Sequence, residues 1–578
     1  MTQKRSFARA LLAALILAQV SLVSAEPPQR QVLAYSPVRA HHAIVASADQ
    51  AASKIGVDIL RHGGNAVDAA VAVGLALAVT WPRAGNLGGG GFMLIRKADG
   101  STVAIDYRET APANATQDMY LQSAGTVTPD ASLVGYRAAA VPGTISDLAL
   151  ALEKYGTLKW QEVVEPARRL AAAGIRVGYP LANSLHREGQ KLEQFPDSRR
   201  TLLKNGKFYE EGETLRQPEL AETLRRLKAN GPREFYEGRT ARLIAQAMKD
   251  HNGLITFEDL KNYRAVERKP VVGTYRGYEI VTFPPPSSGG AVLVEMLNIL
   301  EPYDLARMGH NSSEKYHLLI ETMRRAFADR SQFFGDPDFV RVPLVGLTSK
   351  GYASQLAKSI DRAHATASVQ VKPGHPTDYE QHQTTHYSVV DRWGNAVANT
   401  YTLNGAYGGG VTVPGAGFLL NNEMDDFTTK PGEPNQFRLI QGEANAIAPH
   451  KRPLSSMTPT LVLKDGKLWL VVGTSGGPTI ITQLLQVIVN LVDHGMNVRQ
   501  AIEAPRIHHQ WLPDVVDYEP YGLAEDVIAA LIAKGHQLSI NPKDPYLGDV
   551  EGILIEPGTG IRLGSSDPRN PNARTLGY

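Results

Sequence analysis

The sequence predicts a layered domain of the α/β or α+β class, because helical and strand patterns alternate along one chain. Residues 66–81 are rich in Ala, Val and Leu and follow Gly63-Gly64-Asn65, which is typical of the start of a buried helix. Residues 92–95 form an apolar run behind four consecutive glycines, which favours a buried strand preceded by a close-packed turn. Residues 160–361 are mostly helical by their periodicity, and strand patterns dominate after Thr384.

Two irregular stretches are predicted, one within the helical middle of the chain and one after it. Apolar residues recur at helical spacing in residues 220–228 and 313–332, and the Pro- and Gly-rich residues 284–290 predict a loop between them. Residues 364–383 are rich in His, Gln, Thr and Pro and show no periodicity. We therefore expect an exposed linker immediately before Thr384.

The first 25 residues have the pattern of an export signal. Three basic residues precede an apolar run over residues 10–20, and Val23-Ser24-Ala25 supplies the small residues that a signal peptidase reads. The apolar run is too short to cross a bilayer, so a cleaved signal is favoured over an uncleaved membrane anchor. We expect a periplasmic or secreted protein without a stable membrane span.

The charge balance gives no reason to expect a nucleic acid partner. The chain has 60 Lys and Arg against 58 Asp and Glu. Removal of the first 25 residues takes away three basic side chains and no acidic one, which leaves 57 against 58. No basic tail or stripe remains, so small polar substrates fit better than nucleic acid.

The chain has no cysteine. This excludes a thiol nucleophile, a Cys-ligated zinc and a disulfide framework. Stability after export must therefore come from a large buried core.

A β-hairpin is predicted directly after the linker. Residues 384–390 are rich in β-branched and aromatic side chains, residues 391–395 supply a turn, and residues 396–403 resume the strand pattern. If this turn closes Val390 against Ala396, the register of the whole hairpin is set.

This register places Thr384 opposite Thr402, with their Cβ atoms about 4.5–5.5 Å apart. Thr400, Thr402 and Asn404 then share one face, because side chains alternate along a strand. A slip of one residue would break the arrangement. A Thr that begins a strand is usually only a strand former, so the hairpin alone assigns no function.

A series of short motifs follows in order over nearly the whole chain after the signal. They are Asp106-Tyr107-Arg108-Glu109, Gln383-Thr384-Thr385-His386-Tyr387-Ser388, Thr400-Tyr401-Thr402-Leu403-Asn404, Asn421-Asn422-Glu423-Met424-Asp425-Asp426-Phe427, Lys451-Arg452-Pro453-Leu454-Ser455-Ser456-Met457, Gly476-Gly477, Ala504-Pro505-Arg506, His508-His509-Gln510-Trp511 and Ser566-Asp567-Pro568-Arg569. Together these motifs resemble the γ-glutamyltranspeptidase family. The length and the order of the set make the resemblance specific.

The resemblance implies an α+β fold, the four-layer αββα sandwich of the N-terminal nucleophile hydrolases. It also implies a precursor that cuts itself between Gln383 and Thr384. After loss of the signal (1–25), a large subunit (26–383) and a small subunit (384–578) would form one catalytic domain. Cleavage converts a peptide nitrogen into a free α-amine, whose unperturbed pKa of roughly 7.7–8.0 suits a general base at neutral pH.

The catalytic roles follow from the same resemblance. Thr384 is expected to attack the γ-amide carbonyl of the donor, with its own α-amine as the base. The backbone N–H groups of Gly476 and Gly477 are expected to hold the oxyanion, and Thr402 to contact the Thr384 hydroxyl and assist processing. Glutathione and related γ-glutamyl compounds are the implied donors, and water or the amine of an amino acid or peptide is the implied acceptor. No metal and no cofactor is expected.

The amino-acid end of such a donor needs one cationic and one anionic partner. The resemblance implies that Arg108 binds the α-carboxylate, to which its planar fork is suited. It assigns the α-ammonium to Glu423 and Asp426. The remaining residues of the expected substrate-binding set are Ser455 and Ser456 at the carboxylate, Asn404 at the ammonium, and Thr400.

Two positions depart from the family pattern. Glu423 is acidic where some relatives have Gln, which is expected to strengthen binding of the ammonium. Residues 431–443 resemble a lid loop, but Phe437 stands where an aromatic residue with a hydroxyl is common. This puts a hydrogen bond from the lid in doubt, whereas an apolar cover over the pocket is still expected.

A serine hydrolase is the main competing hypothesis. Gly473-Thr474-Ser475-Gly476-Gly477 satisfies the Gly-x-Ser-x-Gly pattern, and it lies between a strand-like segment (468–472) and a helix-like segment (479–492), as that motif requires. Ser475 would then be the nucleophile. Its candidate triad partners are Asp493, Asp514 and His536.

Three more hypotheses are compatible with the sequence. The pairs His41-His42 and His508-His509 suggest a metal site, but adjacent residues on a strand point to opposite faces and rarely ligate one ion. The second hypothesis is a periplasmic protein that binds γ-glutamyl compounds without catalysing a reaction. The last is a glutaryl or cephalosporin acylase of the same superfamily, which has less need of the ammonium-binding carboxylates Glu423 and Asp426.

Overall fold

The computed structural model describes residues 36–376, 388–542 and 545–578. Its strands are β1 (Val38–Ala40), β2 (Ile44–Ser47), β3 (Gly90–Arg96), β4 (Thr102–Asp106), β5 (Ile175–Arg176), β6 (Leu203–Lys204), β7 (Lys207–Phe208), β8 (Thr214–Leu215), β9 (Val266–Arg268), β10 (Val271–Tyr275), β11 (Tyr278–Thr282), β12 (Val389–Val390), β13 (Ala396–Thr402), β14 (Thr460–Lys464), β15 (Lys467–Thr474), β16 (Ile507–His508), β17 (Val516–Tyr518), β18 (Leu538–Ser539), β19 (Val550–Ile555), β20 (Arg562–Ser566) and β21 (Arg574–Gly577).

The α-helices are Gln50–Arg61, Ala66–Thr80, Thr144–Tyr155, Trp160–Ala173, Tyr179–Arg187, Gly189–Leu192, Pro196–Leu202, Pro218–Asn230, Arg233–Glu237, Arg239–Asp250, Phe257–Asn262, Gly289–Leu300, Leu305–Met308, Ser313–Phe333, Leu344–Thr348, Lys350–Lys358, Thr479–Val492, Val498–Glu503 and Glu525–Ala533. Short 3₁₀ turns lie at Tyr136–Ala138, Ser368–Gln370, Glu423–Asp426 and Glu443–Asn445.

Two seven-stranded sheets form the centre of the fold. Sheet I has the order β1-β20-β19-β15-β14-β11-β10, and sheet II has the order β21-β2-β12-β13-β3-β4-β9. Every pairing within these two sheets is antiparallel. The strands β5 to β8 and β16 to β18 belong to three smaller sheets.

The two large sheets face each other and carry helices on their outer sides. Strand β13 of sheet II contacts β15 of sheet I, and β2 contacts β19. Helices Gln50–Arg61 and Ala66–Thr80 pack on sheet II, whereas Gly289–Leu300 and Thr479–Val492 pack on sheet I. The predicted α+β architecture with four αββα layers is confirmed.

Helix Ala66–Thr80 illustrates how local sequence sets this packing. The Asn65 side chain accepts hydrogen bonds from the N–H groups of Val67 and Asp68, and the Asp68 carboxylate accepts one from Asn65 N. This reciprocal cap starts the helix at the predicted place. Nearly all residues of the helix are buried, as its mostly apolar sequence predicts.

The predicted hairpin register is confirmed where the structure describes it. Val390 pairs with Ala396 and Val389 with Val397. The Asp391 carboxylate closes the five-residue turn by accepting hydrogen bonds from Trp393 N at 2.8 Å and from the backbone N–H two residues further on at 3.0 Å. The pairing of Thr384 with Thr402 lies outside the described residues.

Two predictions for the middle of the chain need correction. The predicted loop 284–290 ends earlier, because Gly289 and Gly290 already belong to the buried helix Gly289–Leu300. A Cβ on Gly290 would collide with the backbone of Phe283, so the glycine serves close packing rather than loop freedom. The linker expected over residues 364–383 is exposed only in part: most of residues 364–376 are exposed or half-buried, but Ser368 and Val371 are buried.

The predicted chain boundaries cannot be placed on this structure. Residues 1–25 and the Gln383–Thr384 bond lie outside the described residues. Residues 37–578 make up one compact unit. In the described part of the chain, no helix combines the length and the apolar character that a membrane span requires.

Candidate active site

Strands β13 and β15 of the two facing sheets bring the predicted site residues together. Thr400 and Thr402 lie at the end of β13, and Gly473 lies near the end of β15. A Cβ built on Gly473 would be 3.6 Å from the Thr400 hydroxyl oxygen. The chain that follows β15 therefore starts beside the polar end of β13.

Arg108 and the acidic residues form one buried ionic cluster. Arg108 Nη1 lies 2.7 Å from Glu423 Oε2 and 3.7 Å from Glu109 Oε2, and Nη2 is hydrogen-bonded to Asp426 Oδ2. Arg108 also donates from Nε to the Pro453 carbonyl at 3.1 Å. The guanidinium is only 1% exposed, so its charge is neutralised by these carboxylates rather than by water.

Burial controls the ionisation of this cluster. It raises the pKa of Glu423 well above its ordinary range, and the charges of Glu109 and Asp426 raise it further against the opposing effect of Arg108. Burial likewise raises the pKa of Glu109 to about 8, and that of Asp426 is raised as well. Burial by itself would lower the pKa of Arg108, but attraction to Glu423 and Asp426 outweighs it and leaves the pKa raised. The cluster therefore carries less negative charge than its three carboxyl groups suggest.

Asn421 positions the acidic turn Glu423–Asp426. Its side-chain oxygen accepts hydrogen bonds from Ala140 N and Glu423 N, and its side-chain nitrogen donates to the carbonyls of Gly88 and Ala140. All these groups are buried, so the amide has no competing water. Asn421 thereby fixes the turn beside the first residues of β3.

The two adjacent aspartates of this turn have different roles. Asp426 faces Arg108, whereas Asp425 accepts hydrogen bonds from Ser132 Oγ at 2.7 Å and from Gln436 N at 3.0 Å. Burial raises the pKa of Asp425 to about 6. Asp425 thus anchors the predicted lid loop (431–443).

Ser455 and Ser456 lie next to a second buried guanidinium that sequence reasoning missed. Arg330 donates from Nη2 to Ser456 Oγ at 3.0 Å and from Nε to Ser288 Oγ at 2.9 Å. Burial lowers the pKa of Arg330 to about 10. Arg330 donates to Ser456 Oγ, and among the described residues no acceptor binds the Ser456 hydroxyl hydrogen, which leaves it for an acceptor such as a carboxylate. The Ser455 hydroxyl accepts from Met457 N at 3.2 Å.

Thr402 and Asn404 make a tight turn at the end of β13. Asn404 has a φ of 73° and donates its N–H to Thr402 Oγ1 at 2.8 Å. Its side-chain nitrogen donates to the Asn422 carbonyl at 3.1 Å, next to the acidic turn. The Asn404 carboxamide therefore lies beside the backbone at the start of the acidic turn, and its role at the ammonium stays a prediction. The predicted contact of Thr402 with Thr384 lies outside the described residues.

Residues 475–477, called the glycine loop below, follow β15. Gly476 has a φ of 126° and Gly477 a φ of 60°, conformations that favour glycine. Within the described part of the chain, neither glycine N–H donates a hydrogen bond to a protein acceptor. Both N–H groups are therefore available to an oxyanion, as the predicted role requires.

Phe437 of the lid loop covers the glycine loop. A Cβ built on Gly477 would lie 2.8 Å from the Phe437 ring, so the ring packs directly against this glycine. Gln510 Nε2 donates to the Phe437 carbonyl at 3.0 Å, and the neighbouring Arg438 pairs with Asp517 at 2.7 Å. The lid loop is thus fixed on both sides of its apolar cover.

The structure does not assemble the serine hydrolase triad. The Ser475 hydroxyl donates to Asp549 instead of to a histidine. The three candidate partners are bound elsewhere, namely Asp493 by Arg276, Asp514 by Arg324 and His536 by His317. The Gly-x-Ser-x-Gly pattern does occupy a strand–turn–helix context, as predicted, but within the described residues Ser475 is not hydrogen-bonded to a histidine.

The histidine pairs have other partners than a metal ion. His508 contacts Thr482 Oγ1 and Gln510 Oε1, both at 2.9 Å, and His509 contacts Asp514 at 3.2 Å. His41 and His42 are exposed. In residues 36–376, 388–542 and 545–578, no group of three or more His, Cys, Asp or Glu residues is arranged to hold a metal ion.

Comparison with known proteins agrees with the motifs. The family model described as gamma-glutamyltranspeptidase matches residues 52–576. The chain is 49% identical to a glutathione hydrolase proenzyme of Escherichia coli (strain K12), over 99% of both chains. It is 44% identical to a glutathione hydrolase proenzyme of Pseudomonas sp. (strain A14), over the full length of both.

A solved structure supports the fold. The cephalosporin acylase from Bacillus halodurans superposes with a TM-score of 0.83 at 27% identity, covering 96% of this chain and 98% of that one. The four-layer fold is thus shared with an N-terminal nucleophile hydrolase, as expected. The matches in sequence and structure together establish that this chain belongs to the gamma-glutamyltranspeptidase family.

Proposed function

We propose that this protein is a self-processing γ-glutamyltransferase and hydrolase. It cleaves the γ-glutamyl amide bond of glutathione and related compounds through a γ-glutamyl ester on Thr384, and passes the γ-glutamyl group to water or to an amino-acid or peptide amine. The observation that carries the proposal is the buried Arg108–Glu423–Asp426 cluster, which offers both charges that an amino-acid end requires.

Donor binding replaces ion pairs between the residues of this cluster with ion pairs to the donor. The α-carboxylate of the donor binds Arg108 and accepts a hydrogen bond from the free hydroxyl hydrogen of Ser456. The α-ammonium binds Asp426 and Asn404. Each ionic partner is then exchanged for another of the same sign, so no buried charge is left unpaired. The γ-carbonyl, at the other end of the donor side chain, extends toward the glycine loop.

Processing creates the nucleophile. Cleavage of the Gln383–Thr384 bond frees the Thr384 α-amine, which takes the proton of the Thr384 hydroxyl as Oγ attacks the γ-carbonyl carbon. Gly476 N–H and Gly477 N–H stabilise the oxyanion of the tetrahedral intermediate. When this intermediate collapses, the C–N bond breaks and the leaving amine takes the proton from the Thr384 ammonium.

The second half of the reaction repeats these steps with an acceptor. Water or an amine loses a proton to the Thr384 α-amine and attacks the ester carbonyl. The ester bond to Oγ breaks, the proton returns to the hydroxyl, and the γ-glutamyl product leaves. Neither half of the cycle calls for a cofactor.

Export and subunit composition belong to the same proposal. The pattern of residues 1–25 supports a cleaved signal and a periplasmic or secreted enzyme. The large subunit (26–383) and the small subunit (384–578) both contribute to the site, because Arg108 comes from the first and Asp426 from the second. Such a shared site needs both chains to stay together after cleavage.

Intact mass and activity of the purified protein test the proposal. The wild type should give two fragments that begin at Glu26 and Thr384, and should release the amine from a γ-glutamyl anilide. Thr384→Ala should give one uncleaved chain without turnover, whereas Thr384→Ser keeps a hydroxyl and should cleave more slowly. An uncleaved wild type with full activity, or an active Thr384→Ala protein, would refute the mechanism.

Ser475→Ala tests the serine hydrolase hypothesis. We expect normal cleavage before Thr384 and retained turnover, since the Ser475 hydroxyl donates to Asp549 and not to a histidine of a catalytic triad. Loss of turnover with normal self-cleavage would instead revive Ser475 as the nucleophile.

A further inference from the structure

The carbonyl groups of the glycine loop are held by two side chains of the helix that follows it. We propose that Gln483 and Thr479 are positioning residues, which aim the N–H groups of Gly476 and Gly477 at the oxyanion. This inference rests on the proposed function, in which those two N–H groups stabilise the tetrahedral intermediate.

The planarity of the peptide unit links each carbonyl to the next N–H. In a trans peptide, the C=O of one residue and the N–H of the next point in opposite directions. Among the described residues, the cis peptides are Pro285-Pro286 and Leu512-Pro513, so both peptide units of the glycine loop are trans. The Ser475 carbonyl therefore sets the direction of Gly476 N–H, and the Gly476 carbonyl sets that of Gly477 N–H.

Gln483 and Thr479 bind both of these carbonyls. Gln483 Nε2 donates to the Ser475 carbonyl at 3.0 Å and to Thr479 Oγ1 at 2.7 Å. Thr479 Oγ1 in turn donates to the Gly476 carbonyl at 2.8 Å. The two side chains, one helical turn apart, thus form a single chain of hydrogen bonds along the back of the glycine loop.

The orientation of the Gln483 amide is fixed from its other side. Arg506 Nη1 lies 3.3 Å from Gln483 Oε1, and Thr474 Oγ1 donates to the same oxygen at 2.7 Å. Because a guanidinium can only donate, the oxygen must face Arg506 and the nitrogen must face the glycine loop. The Gln483 side chain is fully buried, so its orientation is set by these protein partners.

The two glycines need such support because a residue without a side chain does little to fix its own backbone conformation. Glycine adopts many backbone conformations at little cost, and both residues here have positive φ values. Donors stabilise an oxyanion well only if they are aimed before charge develops. Anchoring the carbonyls aims the donors while leaving the N–H groups free for the substrate.

The test compares isosteric substitutions in the mature enzyme. Gln483→Met removes the amide, and Thr479→Val removes the hydroxyl, whereas Thr479→Ser retains it. Gln486→Met is a matched control, because Gln486 lies on the same helix and its buried amide binds Ile507 rather than the glycine loop. Turnover of a γ-glutamyl anilide is measured per cleaved molecule, and thermal melting is recorded for each variant.

We expect kcat to fall about 10- to 100-fold in Gln483→Met and Thr479→Val, since loss of an oxyanion donor outright usually costs 10²- to 10³-fold. KM should stay within about threefold, because the carbonyl anchors do not touch the amino-acid end. Thr479→Ser should retain the wild-type kcat. Gln486→Met should lower the melting temperature without lowering kcat.

Two results would overturn the inference. One is a kcat within twofold of wild type in both Gln483→Met and Thr479→Val. The other is a loss of kcat in Gln486→Met as large as that in Gln483→Met, which would indicate a general effect of helix stability. If Gln483→Met does not fold, Thr479→Val and Thr479→Ser decide alone. A wild-type enzyme that fails to release the anilide refutes the proposed function before any variant is compared.

Discussion

The two ends of the candidate site are built from different chemical groups. At the recognition end, Arg108, Glu423 and Asp426 are ionisable side chains that are almost fully removed from water. At the reacting end, Gly476 and Gly477 present neutral backbone N–H groups at a more exposed loop. In the proposed mechanism, the first end binds a charge that the donor always carries, and the second binds a charge that exists only during the reaction.

This difference determines how each end behaves without a substrate. The recognition residues neutralise one another, because a buried charge left without a partner costs about 3–5 kcal/mol. The N–H groups of the glycine loop are held from behind and keep no acceptor within the described residues. Substitutions at the recognition end should therefore change affinity for the donor, and those behind the glycine loop should change the rate.

Arg108→Gln should have the largest effect on donor binding. It removes the cation from three buried carboxyl groups and the ligand from the donor α-carboxylate. KM for a γ-glutamyl donor should rise at least about 100-fold, which corresponds to the low end of the cost of breaking a buried pair. Steady-state kinetics on cleaved protein give this number directly.

Arg108→Lys is the matched control, because it keeps a charge but loses the planar fork. The KM of Arg108→Lys for a γ-glutamyl donor should lie between that of the wild type and that of Arg108→Gln. Equal values of KM in the wild type and Arg108→Gln would show that the cluster is structural and lies apart from the donor.

Asp426→Asn should distinguish between donors with and without an ammonium group. For a γ-glutamyl anilide we expect kcat/KM to fall about 10- to 100-fold, since a buried cation loses its charged partner. A glutaryl anilide lacks the ammonium, so its kcat/KM should change by less than about threefold. Equal losses on both donors would contradict the role of Asp426 and would favour an acylase.

Much of this site could be predicted because the chemistry is local in the sequence. The helix at Ala66–Thr80 has its own cap, Asn65 with Asp68, and the hairpin has a turn that sets its register. Arg108 and Asp426 are part of long motifs that resemble one family. In each case a few neighbouring residues carry the signal.

Arg330 and the buried part of the linker could not be predicted in this way. Arg330 lies in a helix whose many charged residues predict an exposed surface, yet facing elements bury it against Ser456. Ser368 lies in a polar, aperiodic stretch, but its hydroxyl is bound by Arg324 at 2.5 Å and its carbonyl by Trp511 Nε1 at 2.9 Å. Contacts between distant segments override the local pattern at both places.

Glu423→Gln should have an effect that depends on pH. Burial raises the pKa of Glu423, so the carboxyl is protonated and neutral in acid and becomes an anion as the pH rises through that raised value. The wild type should then bind the donor ammonium better than Glu423→Gln only at the higher pH. The ratio of kcat/KM between the wild type and Glu423→Gln should therefore be close to one at the acid end of the pH range in which the enzyme is active. It should rise with pH by several-fold, less than about tenfold.

The ratio is the quantity to measure, because the Thr384 α-amine and the donor ammonium titrate in both proteins. Their effects therefore cancel. A ratio that stays constant with pH would mean that Glu423 does not change its charge in this range. A ratio that falls with pH would contradict the sign of the argument.

Phe437→Ala should have the smallest effect, and it bears on the boundary between the two ends. The ring packs on Gly477, at the reacting end of the site. Its removal exposes the glycine loop to water and should raise the ratio of hydrolysis to transfer about two- to threefold, while KM for the donor stays nearly constant. Phe437→Leu keeps an apolar cover and should behave like the wild type. If Phe437→Ala changed KM by a larger factor than it changed the ratio of hydrolysis to transfer, the lid would belong to the recognition end. Affinity for the donor and reaction rate would then not be controlled by separate residues at this position.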